Sequence, residues 1–192
     1  TMGGRKVAER VALLSKIGYE DPYRAVTNNK GIMNGVDAVL IATGNDYRAI
    51  ESATAVLANQ DGHYRSLSKW TMQDGKLVGE LTLPMAIGVV GGSIKARKDV
   101  QQSFAILGKK ITSAKLAEII VSVGLANNLA ALLAISTVGI QAGHMKLQAR
   151  NIVAELDASD DEKKQVLTQI IEQKDYSESY AQLVLKQIRE GK

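Results

Sequence analysis

The sequence predicts an α+β fold, with many helices and one small antiparallel hairpin. Apolar residues recur at helical spacing near the start of the chain and again toward its end. Between these regions, YRSLSKWTMQDGKLVGELTLPM alternates polar and apolar positions around Asp74 and Gly75, a pair typical of a hairpin turn. Only two prolines interrupt the 192 residues, which suits a helix-rich chain.

The amino-terminal third is predicted to contain three helical segments joined by one loop. The first helix covers residues 5–17, and residues 19–29 form a loop because an Asp-Pro pair sets a turn. The apolar run 30–43 is ambiguous, since its β-branched content suits a buried strand. Its length, its Ala and Met content and the following Gly44, a natural helix end, favour a buried helix. Another helix follows over residues 46–59.

Two later segments have unusual composition. Residues 88–93, GVVGGS, are predicted to form a glycine-rich loop. The segment 119–140 carries no charge and has the length of a membrane span. Asn127 and Asn128 lie near its middle, where polar groups are costly in lipid. A pair of buried helices divided at Gly124 is therefore favoured over a span.

The last fifty residues are more polar than the rest and form an appended unit. Ser159 and Glu162 have the spacing of a capping box at the start of an amphipathic helix, and a second amphipathic helix follows. We therefore predict two domains, residues 1–140 and 141–192. The first residues show no signal-peptide pattern and do not resemble a natural start, so we expect a piece of something longer.

Composition narrows the possible function classes. Without cysteine there is no disulfide framework, thiolate metal site or cysteine nucleophile, and a cytoplasmic location is compatible. His63 and His144 are the only histidines, too few for a conventional zinc site, so we expect no metal. The net charge of +4 is mild, and no Lys/Arg run with interleaved aromatics predicts nucleic-acid binding. An anionic small ligand fits this charge.

A cation and a carboxylate bracket the apolar run 30–43. Lys30 and Asp46 are sixteen residues apart, so one straight helix would hold them roughly 24 Å apart. They are then either unrelated solvated ends or a pair that meets across a symmetric interface. Asn34, one helical turn after Lys30, is placed to hydrogen-bond its ammonium.

Three other features have both a structural and a functional interpretation. His144 is either a structural hydrogen-bonding group or a proton donor on a mobile segment. Arg24 is either a surface arginine or an anion clamp. The GVVGGS segment lacks the spacing of a dinucleotide fingerprint and is either a tight turn or a weak cofactor signal. No serine-nucleophile elbow or P-loop occurs in the sequence.

Four separated blocks together resemble one family. They are DPYRAVTNNKGIMNGVDAVLIATGND, LPMAIGVVGGSIK, VGLANNLAALLAI and GIQAGHMKLQARNIV. Their order and spacing are similar to those of class II, bacterial-type hydroxymethylglutaryl-CoA reductase over nearly the whole chain. The resemblance implies the carboxyl-terminal part of a helix-rich catalytic large domain around a buried central helix, over residues 1–140. It also implies a small helical flap over residues 141–192.

The resemblance assigns roles to individual residues. Lys30 would polarise the thioester carbonyl and stabilise the developing oxyanion, and Asp46 would hold the lysine and tune proton flow around it. His144, on the flap, would protonate the departing CoA thiolate. Arg24 and Asn34 would contact the substrate carboxylate and support the lysine.

Asn127 and Asn128 are also expected to bind substrate by this resemblance. The family usually has Gln at the position of Asn127, so the shorter amide shifts a contact on the CoA side.

The resemblance implies a two-step reduction of the HMG-CoA thioester to mevalonate and CoA, or the reverse, with NADH or NADPH. It also implies a homodimer with an interfacial site. The catalytic glutamate and the small cofactor-binding domain of the family have no counterpart in these residues. We therefore expect the 192 residues alone to be inactive and the amino-terminal half to be a missing partner. We expect neither nucleic acid nor a membrane as a partner.

Two alternatives to the reductase remain open. One is a non-catalytic helical module that binds CoA-like anions or a protein partner. The other is a membrane-associated helical protein, which rests on residues 119–140 alone.

Overall fold

The computed structural model describes residues 4–108, 110–137 and 139–191, without the side chains of residues 93 and 140–144. The predicted α+β class is confirmed, because the described residues form mostly helices together with a single antiparallel pair of strands. The chain divides into two compact units, Thr1–Thr137 and Val138–Lys192. In chain order the elements are α1 (Arg5–Glu20), α2 (Pro22–Ala42), α3 (Tyr47–Ala58), β1 (Ser68–Gln73), β2 (Lys76–Leu81), α4 (Gly92–Ala96), α5 (Lys98–Leu107), α6 (Ser113–Ser136), α7 (Ile140–Glu155), α8 (Asp160–Gln173) and α9 (Glu178–Arg189).

The predicted loop over residues 19–29 is wrong, because most of it belongs to α2. The Asp21 side chain caps the helix by accepting a hydrogen bond from the Tyr23 N–H at 2.9 Å. Pro22 occupies the first helical position, where its fixed φ is already helical and its missing N–H costs nothing. The Asp-Pro pair therefore starts a helix where the sequence suggested a turn, and Lys30 lies in the interior of α2.

The helical interpretation of the run 30–43 is confirmed, and α2 ends in a Schellman motif. Gly44 has a φ of 67°, and its N–H donates to the Ile41 carbonyl at 3.1 Å. The Asn45 N–H donates to the Leu40 carbonyl at 2.9 Å. These two bonds satisfy the last carbonyl groups of the helix, and glycine adopts the left-handed conformation between them without strain.

The predicted division of the apolar segment at Gly124 is wrong, since α6 runs unbroken through this residue. A Cβ atom at Gly124 would lie 2.8 Å from the Val36 Cγ2 atom of α2. A Cβ atom at Gly35 would lie 3.1 Å from the Val123 carbonyl oxygen of α6. Both glycines therefore allow a close approach of α2 and α6, a packing role that sequence patterns confuse with helix breaking.

Among the described residues, α6 is long and apolar enough to cross a bilayer by length and composition. Its buried residues recur every fourth position: Leu116, Ile120, Gly124, Asn128, Leu132 and Ser136. Leu116 and Ile120 join the core cluster of unit 1 with Ile32, Val36 and Leu40 of α2. This row packs one side of α6 into the core of unit 1. Only 28% of its most apolar window is buried, and Val123 is among its exposed residues.

A buried polar network connects α2, α6 and β1. The Asn128 Oδ1 atom accepts from the Trp70 Nε1–H, and its Nδ2 donates to the Asn28 Oδ1, both at 2.8 Å. The Asn28 Nδ2 donates in turn to the hydroxyl groups of Ser66 and Ser68. Because each buried amide is paired, the network fixes one arrangement of these elements.

The predicted hairpin is confirmed. Asp74 and Gly75 connect β1 to β2, and both have positive φ, as a type I′ turn requires. Across the strands Trp70 pairs with Gly79, where a Cβ atom would collide with the indole ring. The bare glycine thus makes room for the ring.

The predicted loop over residues 88–93 is shorter than expected. Gly91 has a φ of 87°, and α4 begins at the next residue, Gly92. The last two residues of GVVGGS therefore belong to a helix.

Unit 2 consists of α7, α8 and α9 around a small apolar core, which includes Val153, Ile170 and Val184. The predicted capping box is confirmed: Glu162 N–H donates to Ser159 Oγ at 3.3 Å, and Ser159 N–H donates to Glu162 Oε2 at 2.7 Å. Arg189 of α9 donates from Nε to Glu162 Oε1 at 2.8 Å, so one carboxylate joins two helices.

The close approach of α2 and α6 predicts opposite effects for two glycine-to-alanine substitutions. Gly124→Ala should lower the free energy of unfolding by about 1–3 kcal/mol, because the new methyl group overpacks the contact with Val36. Gly31→Ala, whose Cβ atom meets nothing within 4 Å, should raise it by about 0.5–1 kcal/mol through helix propensity. Urea denaturation followed by Trp70 fluorescence measures both. Equal stabilisation by both substitutions would contradict the packing role of Gly124.

The capping box predicts a pH dependence for unit 2. Hydrogen bonds from Arg189 and from Ser159 lower the pKa of Glu162 from 4.5 to about 2. The ionised carboxylate therefore stabilises the fold above its unfolded pKa, and this contribution is lost as pH falls through the folded value. Amide hydrogen exchange of α8, corrected for intrinsic rates, should show loss of protection between about pH 5 and pH 2.

Glu162→Gln should weaken protection at neutral pH and flatten this acid response. Glu172→Gln, at an exposed position of the same helix, is the control and should keep the full response. If both variants respond to acid like the unmodified chain, the capping carboxylate is not the titrating group.

Candidate active site

One face of α2 is exposed, and we call its residues the outer stripe: Tyr23, Val26, Thr27, Lys30, Asn34, Ala38 and Ile41. Lys30 and Asn34 lie one turn apart near the middle of this stripe. Large apolar side chains flank them, with Tyr23 86% and Val26 53% exposed. Exposed apolar side chains on both sides of a cation are typical of a surface that binds another molecule.

The two asparagines before Lys30 hold this part of α2 in place. Asn28 belongs to the buried polar network, and Asn29 binds the segment that leads into β1. The Asn29 Nδ2 donates to the Arg65 carbonyl at 2.8 Å, and its Oδ1 accepts from the Leu67 N–H at 2.9 Å. Because positions 28 and 29 point inward, the next position of the helix carries Lys30 outward.

The two asparagines of α6 have different surroundings. The Asn127 Nδ2 donates to the Gly31 carbonyl, which places this amide beside the backbone of Lys30. Asn128 is 1% exposed, and both ends of its amide bind protein groups. A substrate contact at Asn128 would require these bonds to break. For both Asn127 and Asn128, substrate binding stays a prediction.

Arg24 lies beside the outer stripe and is partly buried. Its guanidinium donates to the Thr27 hydroxyl, and burial lowers its pKa. This bond orients the guanidinium along the helix. The predicted contact of Arg24 with a substrate carboxylate stays a prediction.

Asp46 is the N-cap of α3. Its carboxylate accepts from the backbone N–H groups of Arg48 at 3.1 Å and Ala49 at 3.3 Å. The bond from Ala49 is the largest cause of a lowered pKa, and the Arg48 guanidinium contributes. The side chain is 57% exposed, so the site presents an ionised and oriented carboxylate to its surroundings.

Lys30 and Asp46 do not meet within one chain. Since the Asn45 N–H is bonded to the Leu40 carbonyl, Asp46 lies beside the last turn of α2. Ten residues of helix separate Lys30 from Leu40, which is roughly 15 Å along the axis. The predicted spacing of roughly 24 Å is too long, because α2 ends at Ala42. The helix nevertheless keeps the two side chains apart.

Asp37, which the sequence did not single out, faces the same side of α2 as Lys30 and Asn34. Burial, followed by the neighbouring Glu51 carboxylate of α3, raises the pKa of Asp37 to about 6. Its Oδ1 atom is buried without a hydrogen-bond partner among the described residues. Asp37 follows Lys30 by seven residues, a spacing that predicts the same face of a helix. The apolar residues around Asp37 hid this signal.

His144 belongs to α7 of unit 2, and its side chain lies outside the described part of the structure. Its predicted role as a proton donor therefore stays a prediction. Across the described residues, no group of three or more His, Cys, Asp or Glu side chains could hold a metal ion.

Comparison with known proteins identifies the family. The family model described as Hydroxymethylglutaryl-coenzyme A reductase matches residues 1–149. The chain is 41% identical over 189 residues to the 3-hydroxy-3-methylglutaryl-coenzyme A reductase of Archaeoglobus fulgidus, covering 98% of this chain and 43% of that protein. It is 40% identical over 187 residues to the probable reductase of Borreliella burgdorferi, covering 95% of this chain and 43% of that protein. The chain thus spans less than half the length of these relatives.

Solved structures show the same relationship. The 3-hydroxy-3-methylglutaryl-coenzyme A reductase of Streptococcus pneumoniae superposes with a TM-score of 0.69 at 46% identity, over 96% of this chain and 44% of that one. A class II reductase structure from the same organism, bound to NADPH in open conformations, has a TM-score of 0.68 at 46% identity, over 96% and 45% of the two chains. The chain therefore belongs to the hydroxymethylglutaryl-coenzyme A reductase family.

Proposed function

We propose that this chain is part of a class II hydroxymethylglutaryl-CoA reductase. The enzyme reduces the thioester of HMG-CoA to mevalonate and free CoA, or runs the reverse reaction. NADPH or NADH supplies the hydride. The relative solved with bound NADPH supports the use of a reduced nicotinamide cofactor. The observation that carries the proposal is the outward-facing Lys30 on a helix that buried asparagines hold in place. Because the chain has no cysteine, we also propose the cytoplasm as its location.

Lys30 stabilises the oxyanion that forms when hydride reaches the carbonyl carbon. Its ammonium donates a hydrogen bond to the carbonyl oxygen, and the bond strengthens as negative charge develops there. The buried anchors Asn28 and Asn29 keep the helix fixed, so little reorganisation accompanies this change. The apolar side chains of the outer stripe would exclude water from Lys30 once a partner surface covers them, which strengthens the interaction further.

Asp46 acts on the lysine of a second copy in this proposal. The helix keeps Lys30 and Asp46 roughly 15 Å apart within a chain, so a complete site needs both residues from different subunits. A two-fold symmetric dimer would form two such sites. The exposed apolar side chains of the outer stripe support an interface at this surface.

The remaining predicted residues complete the reaction. His144 protonates the departing CoA thiolate as a general acid. Arg24 binds the carboxylate of the hydroxymethylglutaryl group, and Asn127 lies on the CoA side. The catalytic glutamate and the cofactor-binding domain lie outside these 192 residues.

Substitution of Lys30 tests the proposed chemistry. In the full-length protein, Lys30→Ala should reduce kcat for HMG-CoA by at least about 10²–10³-fold, because the oxyanion loses its donor. Loss of absorbance of the reduced nicotinamide cofactor measures the rate. Lys16→Ala, which removes an exposed lysine of α1, is the matched control and should retain full activity. The 192 residues alone should oxidise no cofactor. A fully active Lys30→Ala enzyme would refute the assignment.

Substitution of His144 separates the two reductive steps. His144→Ala should slow reduction of the thioester by about 10²–10⁴-fold, because CoA then leaves as an unprotonated thiolate. Reduction of free mevaldehyde releases no thiolate and should be less affected. Rates measured separately with HMG-CoA and with mevaldehyde give the comparison. Equal losses with both substrates would contradict the role of the histidine.

A further inference from the structure

The side chain of Asn45 links two segments that are distant in sequence. Its Oδ1 atom accepts from the Gly88 N–H at 2.8 Å. Its Nδ2 donates to the Thr43 hydroxyl at 3.0 Å, and Thr43 is itself buried and donates to the Val39 carbonyl at 2.7 Å. The amide therefore connects the end of α2 to the start of the glycine segment 88–91.

This link stands directly beside a candidate catalytic group. Gly44, before Asn45, is in the left-handed conformation, and Asp46, after it, is the N-cap of α3. Only one residue lies between the end of one helix motif and the cap of the next. Because Asn45 directly precedes Asp46, the orientation of its backbone determines where the Asp46 side chain leaves the main chain.

Neither segment needs the Asn45 side chain to fold. The end of α2 is satisfied by backbone bonds from Gly44 and Asn45 themselves. The segment around Gly88 is attached to the core of unit 1 by the packing of its own side chains: Leu83, Met85, Ile87 and Val89. An exposed hydrogen bond between two segments that are already attached fits a positioning function better than a stabilising one.

We propose that Asn45 is a positioning residue: its bond to Gly88 fixes where the Asp46 carboxylate lies relative to the glycine segment 88–91. This inference rests on the proposed reductase function, in which Asp46 orients the lysine. Without the bond to Gly88, both segments stay folded, but the backbone between Gly44 and Asp46 loses one anchor and the Asp46 carboxylate is held less narrowly. Displacements of about 1 Å at a reacting centre cost up to about 100-fold in rate.

Kinetics of the full-length protein test the inference. Asn45→Ala should lower kcat by about 10- to 100-fold, while the KM values for HMG-CoA and for the nicotinamide cofactor change less than about threefold. Thermal stability should change little. The loss should be similar with HMG-CoA and with mevaldehyde, because Asp46 acts on the lysine in both steps. This pattern differs from that of His144→Ala.

Two further variants separate positioning from general structural damage. Asn45→Gln keeps an uncharged amide with an acceptor for the Gly88 N–H and a donor, and should retain at least about a third of the wild-type kcat. Gln101→Ala removes an amide that donates to the Lys95 carbonyl at 2.8 Å, a comparable bond elsewhere in unit 1, and should leave kcat unchanged.

The outcomes distinguish the two proposals. If the wild-type protein does not reduce HMG-CoA, the proposed function itself fails. If the wild type is active and Asn45→Ala has an unchanged kcat, or loses activity only in proportion to a fall in thermal stability, the positioning role of Asn45 is overturned. Failure of Asn45→Gln to exceed Asn45→Ala would also overturn it, because the amide would then be irrelevant.

Discussion

The close packing of α2 against α6 is the constraint on which the rest of unit 1 depends. Gly35 and Gly124 each remove a side chain at the crossing, so the two helices touch through backbone and short apolar groups. The buried Asn28–Asn128 pair adds a polar contact with few alternatives, because an unpaired buried amide is costly. Together these contacts hold the 21 residues of α2 in one position against α6. A rigid α2 holds Lys30 outward and Asp46 far from it.

The sequence predicted the parts of the fold that depend on local patterns. The hairpin at Asp74 and Gly75 and the capping box at Ser159 follow from residues within one turn of each other, and both are present. The errors arose where one residue type serves two purposes. Asp21 and Pro22 suit a turn and a helix start equally well, and the helix start prevails because α2 has a core to pack against.

The candidate site was only partly accessible to sequence reasoning. Its main residues came from a family resemblance that the comparisons confirm at the level of the family. Asp37 and Asn45 were missed because their properties depend on tertiary contacts. The environment of Asp37 requires α3 to place Glu51 beside it, and the role of Asn45 requires a residue 43 positions away. No periodicity or short motif encodes either contact.

The central claim is that a complete site needs Lys30 and Asp46 from two different subunits. Co-expression of full-length Lys30→Ala and Asp46→Ala proteins in equal amounts, so that dimers assort randomly, tests it most directly. Half of the randomly assorted dimers would be mixed, and each mixed dimer would contain one intact site of two. Activity should then return to about a quarter of the wild-type value. A mixture no more active than either variant alone would show that both residues act within the same chain.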